Sequence, residues 1–251
     1  MRLFALIGFP LTHSFSKKYF TEKFEKEGIS NCIYELLELP DYKDFPNLIA
    51  AHPDLAGLNV TIPHKQNIIP FLNELDAASA ARIGAVNTIK VLPDGRLKGY
   101  NTDYYGFRLS LEQWLQKLTI TPLSLKALIL GNGGAAKAVF AALEDIQIPY
   151  QIVSRQKTPS TISYEDLTAD VISTHQLIIN TSPVGTYPKV DECPAIPYEW
   201  LNEAHLLYDL VYNPAETLFL KKGKQQNAQT HNGLPMLQLQ AEKAWEIWNN
   251  E

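Results

Sequence analysis

The feature that most constrains the fold of this 251-residue chain is a strand, a glycine-rich turn and a helix in direct succession. Ala127–Leu130 is an apolar run typical of a buried strand, and Gly131-Asn-Gly-Gly-Ala-Ala136 follows it. The next residues have apolar side chains at 135, 138, 139, 142 and 143, which is the spacing of an amphipathic helix. Further apolar runs at 150–153, 177–180 and 206–210 recur as the strands of βαβ units do. We therefore predict a parallel α/β domain in this half.

The glycine turn fits the G-x-G-x-x-G/A pattern of a dinucleotide-binding loop, with Ala136 in the last position. In such a loop the first glycine permits the tight turn and the second lets the backbone approach a pyrophosphate. The small last residue lets helix and strand pack closely. The N-terminus of the helix offers N–H groups to the phosphate. A plain tight turn is the alternative interpretation, and the surrounding βαβ pattern favours the dinucleotide.

The residues after the second strand of this unit indicate which dinucleotide binds. An NAD-preferring enzyme usually has an acid there, whereas this chain has Val153-Ser-Arg-Gln-Lys157. Arg155, with Lys157 nearby, can stack on adenine and pair with a 2′-phosphate. The sequence therefore favours NADP(H) over NAD(H). Further on, Asn180-Thr-Ser-Pro-Val-Gly185 marks a loop at the carboxyl end of a strand, where ligands of an open sheet lie, although a simple Pro/Gly turn explains it equally well.

In the first half of the chain, the segment Asn59-Val-Thr-Ile-Pro-His-Lys65 has a proline between a hydroxyl and an ammonium group. Thr61 supplies the hydroxyl and Lys65 the ammonium. The run Leu58–Ile62 predicts a buried strand, which Pro63 ends because it cannot donate to a sheet ladder. Lys65 then begins the next element. If that element is a helix, its N-terminal partial positive charge disfavours a second cation and prepares the amine for proton transfer. An exposed surface lysine is the alternative.

The other periodic segments complete an arrangement of two α/β lobes with a cleft between them. The first comprises residues 1–103, joined by the C-terminal helix 234–251, and the second comprises residues 104–233. The predicted strands are Leu3–Ile7 and Cys32–Leu39, the predicted hairpin pairs Val86–Val91 with Leu97–Tyr100, and the predicted helices are Ser16–Glu27, 103–118 and Pro235–Trp248.

Composition excludes several classes of function. A net charge of −5 and a pI near 5.7 argue against a general nucleic-acid surface. Cys32 and Cys193 are too few and too far apart for a disulfide framework or a zinc site, so we expect no metal. The apolar N-terminus is too short for a signal sequence and no run approaches a membrane span. We expect a cytoplasmic protein without a membrane partner, as a monomer or homodimer.

Further short motifs follow one another in a recognisable order. They are His13-Ser14-Phe15-Ser16, Gly84-Ala-Val-Asn87-Thr88, Asn101-Thr-Asp103, Tyr208-Asp-Leu-Val-Tyr212 and Gly233-Leu-Pro-Met-Leu-Gln-Leu-Gln240. With the segments quoted above, this series resembles the shikimate dehydrogenase family, NADP-dependent oxidoreductases of the aromatic amino-acid pathway. The resemblance covers nearly the whole chain. It implies a first lobe that binds shikimate or 3-dehydroshikimate and a Rossmann-like second lobe that binds NADP(H), with hydride passing across the cleft between the nicotinamide and C3 of the substrate.

The resemblance also implies roles for individual residues. Lys65 and Asp103 match the catalytic pair: we expect Lys65 to donate a proton to the carbonyl oxygen as hydride arrives, and Asp103 to orient it. The expected substrate contacts are Ser14, Ser16, Thr61, Asn87, Tyr212 and Gln240. The expected cofactor contacts are Gly131, Asn132, Gly133, Gly134, Ala135, Ser154, Arg155, Leu210 and Gly233, the last two near the nicotinamide.

The chemistry of these side chains suits shikimate, a small ring with a carboxylate and three hydroxyls. Hydroxyl and amide groups dominate the expected substrate contacts, and Gln240 needs a polar partner because it lies on an otherwise apolar helix face. The alternatives are structural: Ser16 and Asp103 as helix caps, and Lys65 as a charge that only holds the oxygen. A relative that accepts quinate and a non-catalytic NADP sensor are the alternative functions. A catalytic pair has little reason to persist in a sensor.

Overall fold

The computed structural model describes residues 1–11 and 14–250, and these form two compact units. The first unit comprises Met1–Thr102 and the chain from Ala241 onward, and the second comprises Asp103–Gln240. The chain therefore leaves the first unit at the start of one long helix and returns to it within the last helix. None of the helices formed by the described residues has both the length and the apolar character needed to cross a membrane.

The first unit is built on a six-stranded sheet of order β2-β1-β3-β5-β6-β4. β1 is parallel to β2 and β3, whereas β5 is antiparallel to β3 and β6. The carboxyl ends of β1, β3 and β6 and the beginning of β5 consequently meet at one edge. The elements are β1 (Arg2–Gly8), α1 (Phe15–Glu27), β2 (Cys32–Glu38), α2 (Phe45–Ala51), β3 (Leu55–Val60), β4 (Glu74–Leu75), β5 (Thr88–Val91) and β6 (Leu97–Tyr100).

Both faces of this sheet are buried, as the alternation of side chains along β1 shows. Leu3, Ala5 and Ile7 belong to a core that includes Phe45, whereas Phe4 points to the opposite face and stacks on Trp248 with ring centroids 4.7 Å apart. The Trp248 indole N–H donates to the carbonyl of Ile89 at 3.0 Å. The part of the C-terminal helix that belongs to the first unit, from Ala241 onward, thus packs on the sheet of that unit.

The second unit is a doubly wound parallel sheet of order β12-β11-β10-β7-β8-β9. The strand order reverses between β7 and β10, and in such sheets ligands bind beyond the carboxyl ends at that point. The elements are α3 (Thr102–Lys117), β7 (Ala127–Leu130), α4 (Gly134–Asp145), β8 (Tyr150–Ser154), β9 (Thr161–Ser163), α5 (Ala169–Thr174), β10 (Leu177–Asn180), β11 (Leu206–Asp209), α6 (Leu218–Gln225), β12 (Gln229–His231) and α7 (Leu234–Asn249).

The segment after β3 differs from its prediction. The strand ends at Val60, and Ile62 is 74% exposed rather than buried. The N–H of Thr61 still pairs with Ile7 at 2.9 Å, but Pro63 has no N–H with which to continue the ladder. Turns at residues 65–68 and a short 3-10 helix, Ile69–Phe71, follow Pro63 in place of an α-helix. The condition that a helix begins at Lys65 is therefore not met, and a helix dipole gives no reason for its reactivity.

Candidate active site

The structure brings predicted substrate residues of the first unit to the edge where β1, β3 and β5 meet. Thr61 follows β3 directly, and Asn87 precedes β5 directly. The carbonyl of Lys65 accepts a hydrogen bond from the N–H of Val86 at 2.7 Å. Backbone hydrogen bonds therefore tie the Lys65 turn to the chain just before Asn87.

The side chain next to Lys65 anchors the same turn. His64 is 2% exposed, and its Nε2 lies 2.5 Å from the carbonyl oxygen of Leu39. A carbonyl can only accept, so Nε2 carries the hydrogen and donates it. Lys65 itself is half-buried, on a backbone held by both contacts. The amine consequently extends from a fixed point of the first unit.

Neither Ser16 nor Asp103 is the cap of its helix, which was the structural alternative for each residue. Ser14 caps α1, since its hydroxyl accepts the N–H of Lys17 at 3.2 Å, so the interpretation of Ser16 as the cap is wrong. Ser16 lies in the first turn of α1, where it opposes the rise that burial causes in the pKa of the Tyr34 phenol. Asp103 lies in the first turn of α3, where a carboxylate interacts favourably with the helix dipole. His13 lies outside the described residues.

A network of buried polar side chains lies beneath the predicted substrate contacts. The Tyr34 hydroxyl donates to Asn59 Oδ1 at 2.7 Å, and Asn59 Nδ2 donates to Thr88 Oγ1 at 3.1 Å. Asn87 Oδ1 accepts the Thr102 N–H at 2.6 Å and the Thr102 hydroxyl at 3.1 Å. These hydrogen bonds thus fix the amide of Asn87 and hold Thr102, the residue directly before Asp103. Sequence reasoning missed Tyr34, because a tyrosine in a strand carries no signal of such a role.

In the second unit, the glycine turn leaves space for a ligand at the N-terminus of α4. Gly131 has φ of +119°, and a Cβ there would lie 2.8 Å from Thr181 Oγ1. At Gly133 and Gly134 an added Cβ would meet open space, and Gly133 provides no side-chain cap. Backbone N–H groups at the start of this 12-residue helix therefore face a bare cradle. Such a cradle fits the pyrophosphate of a dinucleotide.

The other predicted positions of the glycine turn and of the next strand lie at the same carboxyl edge. Asn132 and Ala135 are exposed, and Ala136 is fully buried, as close packing of helix and strand requires. Ser154 ends β8, and its hydroxyl donates to Thr161 Oγ1 at 3.1 Å. The Ser154 hydroxyl therefore also stabilises the connection between β8 and β9.

The basic residues after β8 have different surroundings. Lys157 forms an ion pair with Asp166 at 3.1 Å, whereas the exposed Arg155 lies near the phenol of Tyr164. Burial raises the pKa of Tyr164, and the positive charge of Arg155 opposes that effect. Arg155 is therefore the better candidate for a 2′-phosphate, which its planar guanidinium can bind through two hydrogen bonds.

The two positions predicted near the nicotinamide contact each other. A Cβ at Gly233 would lie 2.1 Å from the carbonyl oxygen of Leu210, so only glycine permits this approach. The loop that carries Leu210 is held by Asp209, a fully buried carboxylate that accepts hydrogen bonds from Asn180 Nδ2 at 2.9 Å and from Thr217 Oγ1 at 2.6 Å. Burial raises the pKa of Asp209 to about 6, although these hydrogen bonds act to lower it. Sequence reasoning missed Asp209, although a charge at the end of an otherwise apolar strand is a signal.

The remaining predicted substrate contacts, Gln240 and Tyr212, belong to the second unit, as does Asp103. A Cβ at Gly106 would lie 2.8 Å from the Cβ of Gln240, so α3 and α7 pack closely there. Asp103 precedes Gly106 by one helical turn, on the same side of α3. Tyr212, in the loop after β11, is 42% exposed.

Fold and site together define a two-unit α/β protein whose second unit is of the Rossmann dinucleotide-binding type. Comparison with known proteins gives the particular family. The model of the shikimate dehydrogenase substrate binding domain matches residues 6–89. A shikimate dehydrogenase (NADP⁺) from Clostridium beijerinckii is 40% identical over 99% of this chain and 92% of that protein. The chain belongs to the shikimate dehydrogenase family, and the predicted resemblance is confirmed.

Solved structures agree with this assignment. Shikimate 5-dehydrogenase from Thermus thermophilus, in complex with NADP(H) and shikimate, superposes with a TM-score of 0.84 at 30% identity, covering 99% of this chain and 94% of that one. Quinate dehydrogenase from Corynebacterium glutamicum, in complex with NAD, superposes with a TM-score of 0.86 at 25% identity, covering 99% and 93%. The predicted fold class is therefore confirmed.

Proposed function

We propose that this protein catalyses the reversible, NADPH-dependent reduction of 3-dehydroshikimate to shikimate in the biosynthesis of aromatic amino acids through chorismate. The observation that carries the proposal is the convergence of Thr61, Lys65 and Asn87 at one sheet edge, in a chain of this family. A cytoplasmic location is part of the proposal and agrees with two free cysteines, Cys32 and Cys193.

The first unit, including the end of α7, is proposed to hold the substrate. Ser14 and Ser16 would contact its carboxylate, and Thr61 and Asn87 its other oxygens. Tyr212 and Gln240 of the second unit would complete the polar contacts. Hydroxyl and amide groups match a small ring whose polar groups are a carboxylate and hydroxyls.

The second unit is proposed to hold NADP(H). The bare backbone of the glycine turn would take the pyrophosphate, Arg155 the 2′-phosphate, and the Leu210 and Gly233 pair the nicotinamide side. When bound, the cofactor supplies the hydride. The residues present fit the group, because the cradle is open at Gly133 and Gly134 and no carboxylate stands at positions 153–157.

Lys65 is the proposed proton donor. In reduction its ammonium gives a proton to the carbonyl oxygen while the carbon receives hydride, so a C=O bond becomes CH–OH. In oxidation the amine takes the proton back. The Asp103 carboxylate would keep the ammonium charged and oriented. Contacts of the Lys65 carbonyl and of His64 hold the backbone from which the amine extends.

Oxidation of quinate is the second candidate, because the quinate dehydrogenase from Corynebacterium glutamicum has the same fold. Initial rates with shikimate or quinate, each with NADP⁺ or NAD⁺, are followed at the reduced-nicotinamide absorbance band. We expect the highest kcat/KM with shikimate and NADP⁺. A higher kcat/KM with quinate would support the second candidate, and NADP⁺ binding without turnover of either substrate would support a sensor.

A further inference from the structure

We propose that Tyr34 is a positioning residue for shikimate, which acts by holding the side chain of Asn59 and, through it, Thr88 and the backbone of Asn87. Tyr34 lies in β2 at the margin of the sheet and outside every motif described above. The proposal rests on the proposed function, which it deepens by naming a determinant of substrate affinity.

The Tyr34 ring is immobilised, so its hydroxyl has a fixed place. The side chain is 3% exposed, and its ring stacks on Phe20 with centroids 4.7 Å apart and an interplanar angle of 16°. The hydroxyl donates to Asn59 Oδ1 at 2.7 Å. Tyr34 therefore contacts α1 through its ring and β3 through its hydroxyl.

Each hydrogen bond of this network has a defined donor and acceptor. The Tyr34 hydroxyl donates to the oxygen of the Asn59 amide, and Asn59 Nδ2 donates to Thr88 Oγ1 at 3.1 Å and to the Asn87 carbonyl at 3.3 Å. The Thr88 oxygen thus accepts, and its proton is directed to Asn87 Oδ1 at 3.2 Å. All these side chains are buried, so a reversed amide would leave unmatched groups without water.

The end of the network is a predicted substrate contact. Asn87 Oδ1 accepts from Thr88 and Thr102, so its Nδ2 donor is directed away from them. A donor suits the hydroxyl or carbonyl oxygens of the substrate ring. Without the Tyr34 hydroxyl the buried Asn59 Oδ1 loses this donor, and the Asn59 side chain no longer holds Thr88 and the Asn87 carbonyl in the same place.

The test is Tyr34→Phe in the full chain, with steady-state kinetics for both substrates. We expect the KM for shikimate to rise about tenfold, the cost of one buried hydrogen bond, with an unchanged KM for NADP⁺. The matched control is Tyr208→Phe, which deletes an equally buried hydroxyl that donates to Ser110 in the second unit at 2.8 Å. The control should lower the melting temperature similarly and leave the KM for shikimate unchanged.

A second pair of variants keeps the test decisive if Tyr34→Phe folds poorly. Thr88→Val breaks the same network one step further along, and Thr88→Ser keeps the hydroxyl and should restore the KM for shikimate. In the double variant Tyr34→Phe/Thr88→Val the two effects should be less than additive, because both act through Asn59. Unchanged KM for shikimate in Tyr34→Phe, or no rescue by serine, would overturn the proposal. A wild-type protein that does not oxidise shikimate would instead overturn the proposed function.

Discussion

At the scale of single residues, the surroundings distinguish Lys65 from other lysines of the chain. Its carbonyl is tied to Val86, and the neighbouring His64 is bound to Leu39. Lys18, by contrast, has a side chain that is 78% exposed and pairs with Glu22, one turn along the same helix, at 3.7 Å. A fixed backbone lets the Lys65 amine meet the same substrate atom in every turnover, as proton transfer requires.

Replacing the proposed proton donor gives the first prediction. Lys65→Ala should lower kcat by about 10²–10⁴, the usual value of general acid–base catalysis, with a much smaller change in KM. Steady-state rates of shikimate oxidation measure both constants, and Lys18→Ala is the control with unchanged kinetics. Unchanged kcat in Lys65→Ala would rule out the role, and a loss expressed mainly in KM would favour a purely electrostatic one.

The second prediction concerns cofactor choice. Arg155→Ala should raise the KM for NADP⁺ at least about tenfold, since hydrogen bonds to a charged group contribute roughly 1.5–3 kcal/mol, and should leave the KM for NAD⁺ nearly unchanged. Lys157→Ala is the control, because Asp166 already engages that ammonium. Equal effects of the two substitutions on the KM for NADP⁺ would contradict the assignment of the 2′-phosphate to Arg155.

At the scale of elements, the glycine turn between β7 and α4 contains glycines of two kinds. Gly131 has a positive φ of +119° and has Thr181 close by, so the fold itself requires glycine at this position. Gly133 has φ of −88°, which any residue adopts, and open space where a Cβ would lie. A glycine at position 133 is therefore explained by a ligand rather than by the fold.

This difference gives the third prediction. Gly133→Ala should leave the melting temperature unchanged and weaken NADP⁺ binding, because the methyl group fills the phosphate cradle. Gly131→Ala should lower the melting temperature by several degrees, about the effect of 1 kcal/mol or more. Thermal unfolding with and without NADP⁺ measures both effects. Full stabilisation of Gly133→Ala by NADP⁺ would show that the phosphate lies elsewhere.

The elements also show what the sequence can predict. The order strand, glycine turn and helix is local, so β7 and α4 were predicted, as was the hairpin of β5 and β6, where Gly95 takes a positive φ. β4, β9 and β12 have three residues or fewer, too few to show a period. The end of β3 was misplaced because Ile62 looks like a core residue until Pro63 turns it outward.

The residues of the candidate site also divide into those that the sequence predicts and those that it does not. Residues in motifs, such as Asn87 and Gly133, were predicted through the resemblance. Tyr34 and Asp209 were not, because their roles come from partners distant in sequence: Asn59 for Tyr34, and Asn180 for Asp209. Buried hydrogen-bond networks depend on tertiary contacts, which a local pattern does not contain.

At the scale of the whole molecule, two titratable groups of the second unit, the buried Asp209 and the half-buried His231, should make stability depend on pH in opposite directions. Burial raises the pKa of Asp209 from 3.8 to about 6, so its contribution to stability falls as pH rises through that window. Burial, helped by the charge of Lys117, lowers the pKa of His231 from 6.5 to about 4, so its contribution rises over nearly the same window. The two effects oppose each other in the wild-type protein.

The fourth prediction follows from removing either group. Between pH 4 and 6 the free energy of unfolding of Asp209→Asn should rise with pH more steeply than that of the wild type. That of His231→Gln should rise less steeply, or fall. Urea unfolding at several pH values measures these slopes, and curves parallel to the wild type for both variants would contradict the assignment of the two pKa shifts.

The central claim is direct hydride transfer between shikimate and NADP⁺, and an isotope label tests it most directly. Shikimate that carries deuterium at C3 is oxidised by the full-length protein, and the NADPH formed is analysed by mass spectrometry. We predict that each NADPH molecule gains one deuterium. NADPH without deuterium, with the label released to water, would contradict the account.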